Sequence, residues 1–255
     1  MNLKDKCIVV TGAATGIGRA LTVRFAAEGA AHVICADIDE AGATGTAALF
    51  GGTAIKADIG SDAGVKALVD AAEAIAPVDL FCSNAGIMVA GGPEASDEDW
   101  TRIMDINVMS HIWAARHLVP KMIERGGGYF LNTSSAAGLL NQVGAMPYGV
   151  TKHAAIGAAE WLAFTYADQG IKVSVLCPQA VDTDMIRGHE DGVASIDGVA
   201  TPEDVAEACV EAIEAETFLV LPHPKVADYI KLKAGDYDRW IGGMKKLNRV
   251  YGERK

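Results

Sequence analysis

The sequence predicts an α/β protein: one doubly wound domain with a seven-stranded parallel sheet, helices on both faces, and a helical extension at the C-terminal end. Three observations carry this expectation. Short β-rich runs alternate with longer amphipathic or Ala-rich segments through residues 7–221, and such alternation builds a parallel sheet by right-handed crossovers. Several runs, such as CIVV at 7–10 and DLFCS at 79–83, are apolar without a period of two, as strands covered on both faces are. The chain has 255 residues, half of them hydrophobic and 22% charged, which suits one core near its upper size and excludes intrinsic disorder.

Strands are expected at 7–10, 32–36 (HVICA), 53–56 (TAIK), 79–83, 129–133 (YFLNT), 172–176 (KVSVL) and 218–221 (FLVL), with helices at 17–28, 40–50, 62–75, 97–124, 148–168 and 202–215. The fourth helix opens with Asp97-Glu98-Asp99, acids that suit the positive end of a helix. Residues 183–200 break the rhythm, being polar and Gly-punctuated. A loop of that length inside a compact domain reads as a functional lid, and its His189-Glu190-Asp191 is either a substrate contact or solvated loop. Residues 1–221 therefore form the domain and 222–255 a tail. The tail holds nine Lys/Arg against four Asp/Glu, with Tyr237, Trp240, Ile241, Met244, Leu247 and Tyr251 at helical spacing. That stripe packs on the body or on a second subunit, so a homodimer or homotetramer is expected.

Charge and cysteine usage exclude other classes. A net charge of -11 lacks the basic footprint of a nucleic-acid binder. No run approaches a membrane span, and the N-terminal residues run straight into the first strand with no signal-like apolar region. The five Cys (7, 35, 82, 177, 209) include no CxxC pair and read as reduced core residues of a cytoplasmic protein. The six His show no metal-ligand spacing, so no metal is expected.

Two constellations carry chemistry. Thr11-Gly12-Ala13-Ala14-Thr15-Gly16-Ile17-Gly18 follows the first strand and opens the first helix. Glycines there bring backbone N–H groups and a helix N-terminus against a pyrophosphate with no side chain in the way. Asp37 lies nineteen residues beyond Gly18, where a carboxylate accepts hydrogen bonds from an adenosine ribose and repels a 2′-phosphate. Its neighbours Ala36, Ile38, Asp39 and Glu40 include no arginine, which favours NAD over NADP. The second constellation is Tyr148-Gly-Val-Thr-Lys152, with Ser134-Ser135 upstream. Residues four apart share a helical face, so the ammonium is expected to lower the phenol's pKa for proton exchange with an alcohol or ketone.

Together these motifs resemble the short-chain dehydrogenases/reductases, in their compact single-domain branch. The likeness spans roughly 4–221 and rests on TGAATGIG (11–18), Asp58 in ADIGSD, Asn84-Ala85-Gly86 in SNAGI, Asn107 in INVMS, Ser-Ser-Ala-Ala-Gly (134–138) and YGVTK (148–152). It implies a Rossmann domain and an NAD-dependent oxidoreductase acting on CH–OH groups. The family's serine lies thirteen positions before its tyrosine, which selects Ser135. The resemblance makes Tyr148 the acid/base, Ser135 the hydrogen-bond partner of the substrate oxygen, Lys152 the holder of the nicotinamide ribose, and Asn107 the residue positioning a relay water. Gly12, Thr15, Gly16, Ile17, Gly18, Asp37, Ile38, Asp58, Ile59, Asn84, Ala85 and Gly86 would line the cofactor from the pyrophosphate outward. Tyr148, Lys152, Pro178, Val181 and Thr183 would meet its nicotinamide side.

Two departures stand out. Gln179 occupies the position after Pro178 where the family usually has glycine, and the family's closing Asp-Gly-Gly strand is replaced by Pro222-His223-Pro224 and the tail. From loop position, the substrate pocket is expected at Met88, Leu139, Gln142, Val143, Met146, Gln179, Met185 and Ile186. Those walls are mostly apolar and suit a hydrophobic secondary alcohol or ketone. The alternatives are an NADP-linked carbonyl reductase and a non-catalytic nucleotide-binding scaffold.

Overall fold

A computed structural model describes residues 1–188 and 191–252. His189 and Glu190 of the expected lid, and residues 253–255 of the tail, lie outside the described residues. Seven parallel strands form one sheet: β1 (Cys7–Thr11), β2 (His32–Asp37), β3 (Thr53–Lys56), β4 (Leu80–Ser83), β5 (Gly128–Thr133), β6 (Ile171–Leu176) and β7 (Leu219–Val220), in the order β3-β2-β1-β4-β5-β6-β7. The order reverses at β1, where the chain crosses to β4. At such a reversal, crossovers on opposite faces leave a crevice at the carboxyl ends of the strands.

Both faces are covered. On one, α3 (Asp62–Ile75), α5 (Ser110–Glu124) and α7 (Met146–Thr165) bury a cluster that includes Phe81, Leu118, Phe130 and Val175. On the other, α1 (Gly16–Ala27), α2 (Glu40–Ala48) and α8 (Pro202–Ala215) bury Val10, Leu21, Phe25 and Ile213. The central strands β1 and β4 are buried at every position, which is why their sequences show no alternation.

The helix expected at 97–124 differs in one informative way. It divides into α4 (Asp97–Met104) and α5, joined by a π-helical turn at Asp105–Met109 that contains Asn107. Such single π turns insert a residue into a helix and recur at functional sites. Asp97–Asp99 form the first turn of α4, while Ser96 is the cap, its Oγ accepting from Asp99 N at 3.1 Å. A short α6 (Ala137–Leu140), not expected from the sequence, follows β5. The tail forms α9 (Lys225–Gly235) and α10 (Tyr237–Tyr251). Val226 is fully buried against Ala136 and Leu140, and Trp240 packs on the same cluster. The tail therefore folds back onto its own domain. Among the described residues no helix is long and apolar enough to cross a membrane, and all five cysteines are buried and free.

Candidate active site

The expected cofactor residues lie at the carboxyl edge of the sheet, in the loops leaving it, in the first turn of α1 and, for Tyr148 and Lys152, on α7. Thr15 stands at the N-cap of α1 in extended conformation, with no side-chain bond onto the first turn and no acid within it. By contrast, α2, α3, α4, α8 and α10 all carry a side-chain cap. The N–H groups opening α1 are thus left for an external acceptor. Gly12 has φ +68°, and a Cβ on Gly18 would stand 2.1 Å from the Gly12 carbonyl oxygen. No larger residue lets α1 start this close to β1. This turn, with an uncapped helix N-terminus and no intruding side chain, fits the pyrophosphate of a dinucleotide.

Asp37 ends β2 beside that turn. Its carboxylate accepts from Ala14 N at 2.9 Å and Asp39 N at 3.0 Å, which fixes its orientation. Ile38 beside it is exposed. Asp58 is exposed and closes its own turn by accepting from Gly60 N at 2.9 Å, with Ile59 half-buried against the core. Asn84 knits three strand ends together: its Nδ2 donates to Thr11 O at 3.0 Å, and its Oδ1 accepts from Thr133 Oγ1 at 3.2 Å. Ala85 N donates to Thr11 Oγ1 at 3.1 Å. A Cβ on Gly86 would lie 3.2 Å from Asn107 Oδ1 and 3.4 Å from Lys152 Nζ, so the absence of a side chain keeps a channel open beside the lysine.

Tyr148, Ser135, Lys152 and Asn107 are all buried. Pro147 opens the first turn of α7, and the helix carries Tyr148 and Lys152 on one face, with Lys152 Nζ 5.5 Å from the phenol ring centroid. The ammonium donates to Thr133 O at 3.1 Å. Burial drags Lys152 down to about 8, and the acid that acts on it, the Cys177 thiol, is itself pushed up to about 12 by burial. The phenol of Tyr148 is raised, first by burial, with the Ser135 hydroxyl pulling the other way. Burial thus sets the net direction of the phenol. The ammonium is turned to the Thr133 carbonyl, and loss of hydration dominates.

Asn107 is held through both ends of its side-chain amide. Its Oδ1 accepts from Ile87 N at 2.9 Å, while its Nδ2 donates to Ile87 O at 2.9 Å and to Thr151 Oγ1 at 3.2 Å. Both amide hydrogens bond to protein, so the side chain clamps the loop after β4 to α7.

The loop after β6 closes the site. Pro178 O accepts from Ala136 N at 2.8 Å and from Ser135 Oγ at 3.3 Å. Val181 is buried and bridged to Ala200, pinning the two ends of the lid. Thr183 reaches the glycine turn: a Cβ on Gly16 would meet its methyl at 3.0 Å. Gln179 Nε2 donates to Asp197 Oδ2 at 3.1 Å, and Asp197 is held by Lys225 Nζ at 2.9 Å and Tyr229 OH at 3.1 Å. The residue in the glycine's place thus ties the lid to the tail.

Ser135 and Tyr148 open onto a cavity of about 330 Å³ that Met88, Gln142, Val143, Gln179, Met185 and Ile186 help to line, as expected. Leu139 and Met146 do not line it. Leu139 packs into the core, and its neighbour Leu140, about 100° further round α6, takes the wall position instead. Met146 lies on the outer rim of α7, 44% exposed. Sequence reasoning missed Val193, Ala194 and Ile196 of the lid, and it missed Tyr229, Trp240, Met244 and Leu247 of the tail. The last three follow the i, i+4, i+7 spacing already visible as a stripe. Their helical face was legible, but not the surface it covers.

Comparisons with known proteins agree with this geometry. The family model for short chain dehydrogenases matches residues 6–193. A 1-deoxy-11-beta-hydroxypentalenate dehydrogenase of Streptomyces exfoliatus is 35% identical over 229 residues, covering 86% of this chain and 83% of the relative. A 3beta-hydroxysteroid dehydrogenase of Mediterraneibacter gnavus is 37% identical over 186 residues, covering 70% and 67%. Among solved structures, a short chain dehydrogenase/reductase from Burkholderia phymatum in complex with NAD superposes with a TM-score of 0.86 at 29% identity, covering 93% of this chain and 96% of that one. With the family model matched over residues 6–193 and a relative 35% identical across 86% of this chain, the chain belongs to the short-chain dehydrogenase/reductase family of oxidoreductases.

Proposed function

We propose that this protein is an NAD-dependent dehydrogenase that interconverts a secondary alcohol and its ketone on a predominantly apolar substrate. One observation carries the reading: Tyr148 and Ser135 are buried at the wall of an apolar cavity with the buried Lys152 ammonium 5.5 Å from the phenol ring, on the same sheet edge as an uncapped helix N-terminus. NAD, when bound, supplies the hydride-accepting or hydride-donating carbon. Tyr148 gives its proton to a ketone oxygen or takes one from a hydroxyl, and Ser135 hydrogen-bonds the same oxygen. Burial keeps the phenol protonated at neutral pH, the form that reduction needs. Oxidation needs the phenolate, which the nearby Lys152 charge stabilises in a dry site. Asn107 acts as a positioning residue. Asp37 faces the ribose and disfavours the phosphate of NADP, against the reading of an NADP-linked carbonyl reductase. The named activities of the relatives, on hydroxypentalenate and hydroxysteroid, support a bulky apolar substrate.

The buried, free thiols fit a reducing compartment such as the cytoplasm. Self-association as a dimer or tetramer is supported by α7, where Trp161 is 50% and Phe164 71% exposed; of the tail stripe, Trp240 and Met244 turn onto the cavity while Tyr237 and Ile241 stay exposed. The test is Tyr148→Phe. It is expected to fold and to bind NAD normally, while turnover of a panel of aliphatic, aromatic and steroid alcohols falls about 10²-fold or more. Near-normal turnover removes Tyr148 from the chemistry. Wild-type protein that binds NAD yet oxidises no alcohol in the panel points to a non-catalytic scaffold.

A further inference from the structure

The cavity beside Tyr148 does not close on all sides. The turn at 140–143, together with Trp240 and Met244, also walls an open groove of about 660 Å³ between that turn and the tail helices. Lys233, Lys245 and Arg249 line this groove, with His153, and no Asp or Glu does. In a chain of net charge -11 this is a local reversal of sign. Lys225 and Lys231 of the same tail are paired with carboxylates, Asp197 and Asp228. Among the described residues Lys233, Lys245 and Arg249 have no such partner. Lys233 is set in place by donating to Leu139 O at 2.6 Å and lying 5.6 Å over the Tyr237 ring.

We infer that the substrate is an amphipathic anion, with an apolar body carrying the reacting hydroxyl or ketone in the cavity and a negatively charged end group in the groove against Lys245 and Arg249. The assignment of the reacting end rests on the function proposed above; the binding of an apolar anion across the two compartments does not. The division of labour follows from where the charges stand. No cationic side chain lines the cavity, so an anionic end placed there loses its hydration without a partner. The groove offers cations and stays wet. One orientation alone satisfies both ends, and it presents the far end of the molecule to Tyr148. Exposed cations each contribute weakly, so apolar burial supplies most of the affinity and the groove supplies orientation and selectivity for charge.

The test uses two fluorescent probes with the same aromatic frame, anionic 8-anilinonaphthalene-1-sulfonate and neutral N-phenyl-1-naphthylamine, on the full-length protein. Wild type is expected to bind both, each displacing the other, with the affinity for the sulfonate falling as salt is added. The double variant Lys245→Glu/Arg249→Glu is expected to weaken the sulfonate at least about tenfold and the neutral probe less than about twofold. Retained neutral binding also reports that the variant is folded. Trp240→Ala, which removes the shared wall, is expected to weaken both. Equal weakening of the two probes by the charge reversal, an unchanged sulfonate, or failure of the probes to compete overturns the inference. Because the readout needs no turnover, probes that behave as expected in a protein oxidising no alcohol sink the proposed activity and leave the binding inference standing.

Discussion

Lys152→Met tests the electrostatic core of the site without any substrate. Lys152 is buried and its pKa falls from 10.5 to about 8 through loss of hydration. A shift of that size corresponds to about 3 kcal/mol of unfavourable interaction with the charged form. Because the folded-state value lies below the unfolded one, the penalty is complete where both states hold the proton, below about pH 8. Between about pH 8 and 10.5 the folded state has shed the proton while the unfolded state keeps it, so stability rises with pH, by up to about 1.4 kcal/mol per unit. Methionine removes the penalty at every pH, but it leaves the Thr133 carbonyl without its donor, at a cost of about 1–3 kcal/mol. The variant should therefore equal or exceed wild type by up to about 2 kcal/mol near pH 7, and lose about 2 kcal/mol of that standing by about pH 9.5. Urea denaturation of the cofactor-free protein at a series of pH values measures it. The buried thiols remote from Lys152, with Cys7 and Cys35 at about 11, erode stability in alkali for both proteins and cancel in the difference, whereas Cys177, which the Lys152 charge lowers, erodes the variant more and widens its loss. A gap that stays flat from neutral to alkaline pH refutes the reasoning.

Other outcomes follow from single contacts. NAD should be preferred over NADP by about tenfold or more, roughly 1.4 kcal/mol, and Asp37→Ser should narrow that ratio mainly by improving NADP; equal use of the two by wild type sinks the role of Asp37. Gly18→Ala places a methyl 2.1 Å from the Gly12 carbonyl oxygen, so the start of α1 must shift. NAD affinity measured by calorimetry should fall at least about tenfold, with about 1–3 kcal/mol of stability lost. Asn107→Ala removes three hydrogen bonds that join the loop after β4 to α7. It should lower stability by about 2 kcal/mol or more and raise KM along with lowering kcat, and a fall in kcat alone would return Asn107 to the chemistry.

What the sequence disclosed and what it withheld divide along a physical line. The glycine turn, Asp37 and the Tyr148–Lys152 pair were legible because each is specified within one turn or one strand end, where spacing fixes geometry. The π turn at 105–109 was not, since the INVM run carries ordinary helical periodicity and only the clamp from Asn107 to Ile87 and Thr151 shows what the extra residue achieves. That Leu140 and not Leu139 lines the cavity was not legible, because a four-residue helix such as α6 has no amphipathic pattern from which to read its facing. Trp240, Met244 and Leu247 were seen as a stripe, but a stripe states that a helix buries a face, and its partner lies a hundred residues away in sequence.

The same line runs through the net pKa of Tyr148, which burial raises. Spacing can place an ammonium one turn from a phenol, yet it is silent on how much water either group keeps, and here dehydration outweighs their mutual attraction. Ser83, Asn132 and His111 make the same point. They carry buried polar atoms with no protein partner, Ser83 and Asn132 lie side by side at the ends of β4 and β5, and burial with the nearby Lys152 charge takes His111 down to about 3. Unpartnered polar atoms of this kind cost about 1–3 kcal/mol each, and a core built only for stability would replace them. His111, whose charged form the Lys152 ammonium opposes, and the buried Lys152 itself mark where this chain gives up stability to hold a charge beside a tyrosine. That is why removing the charge, and not adding to it, is the substitution that should leave the fold at neutral pH no weaker and the site inert.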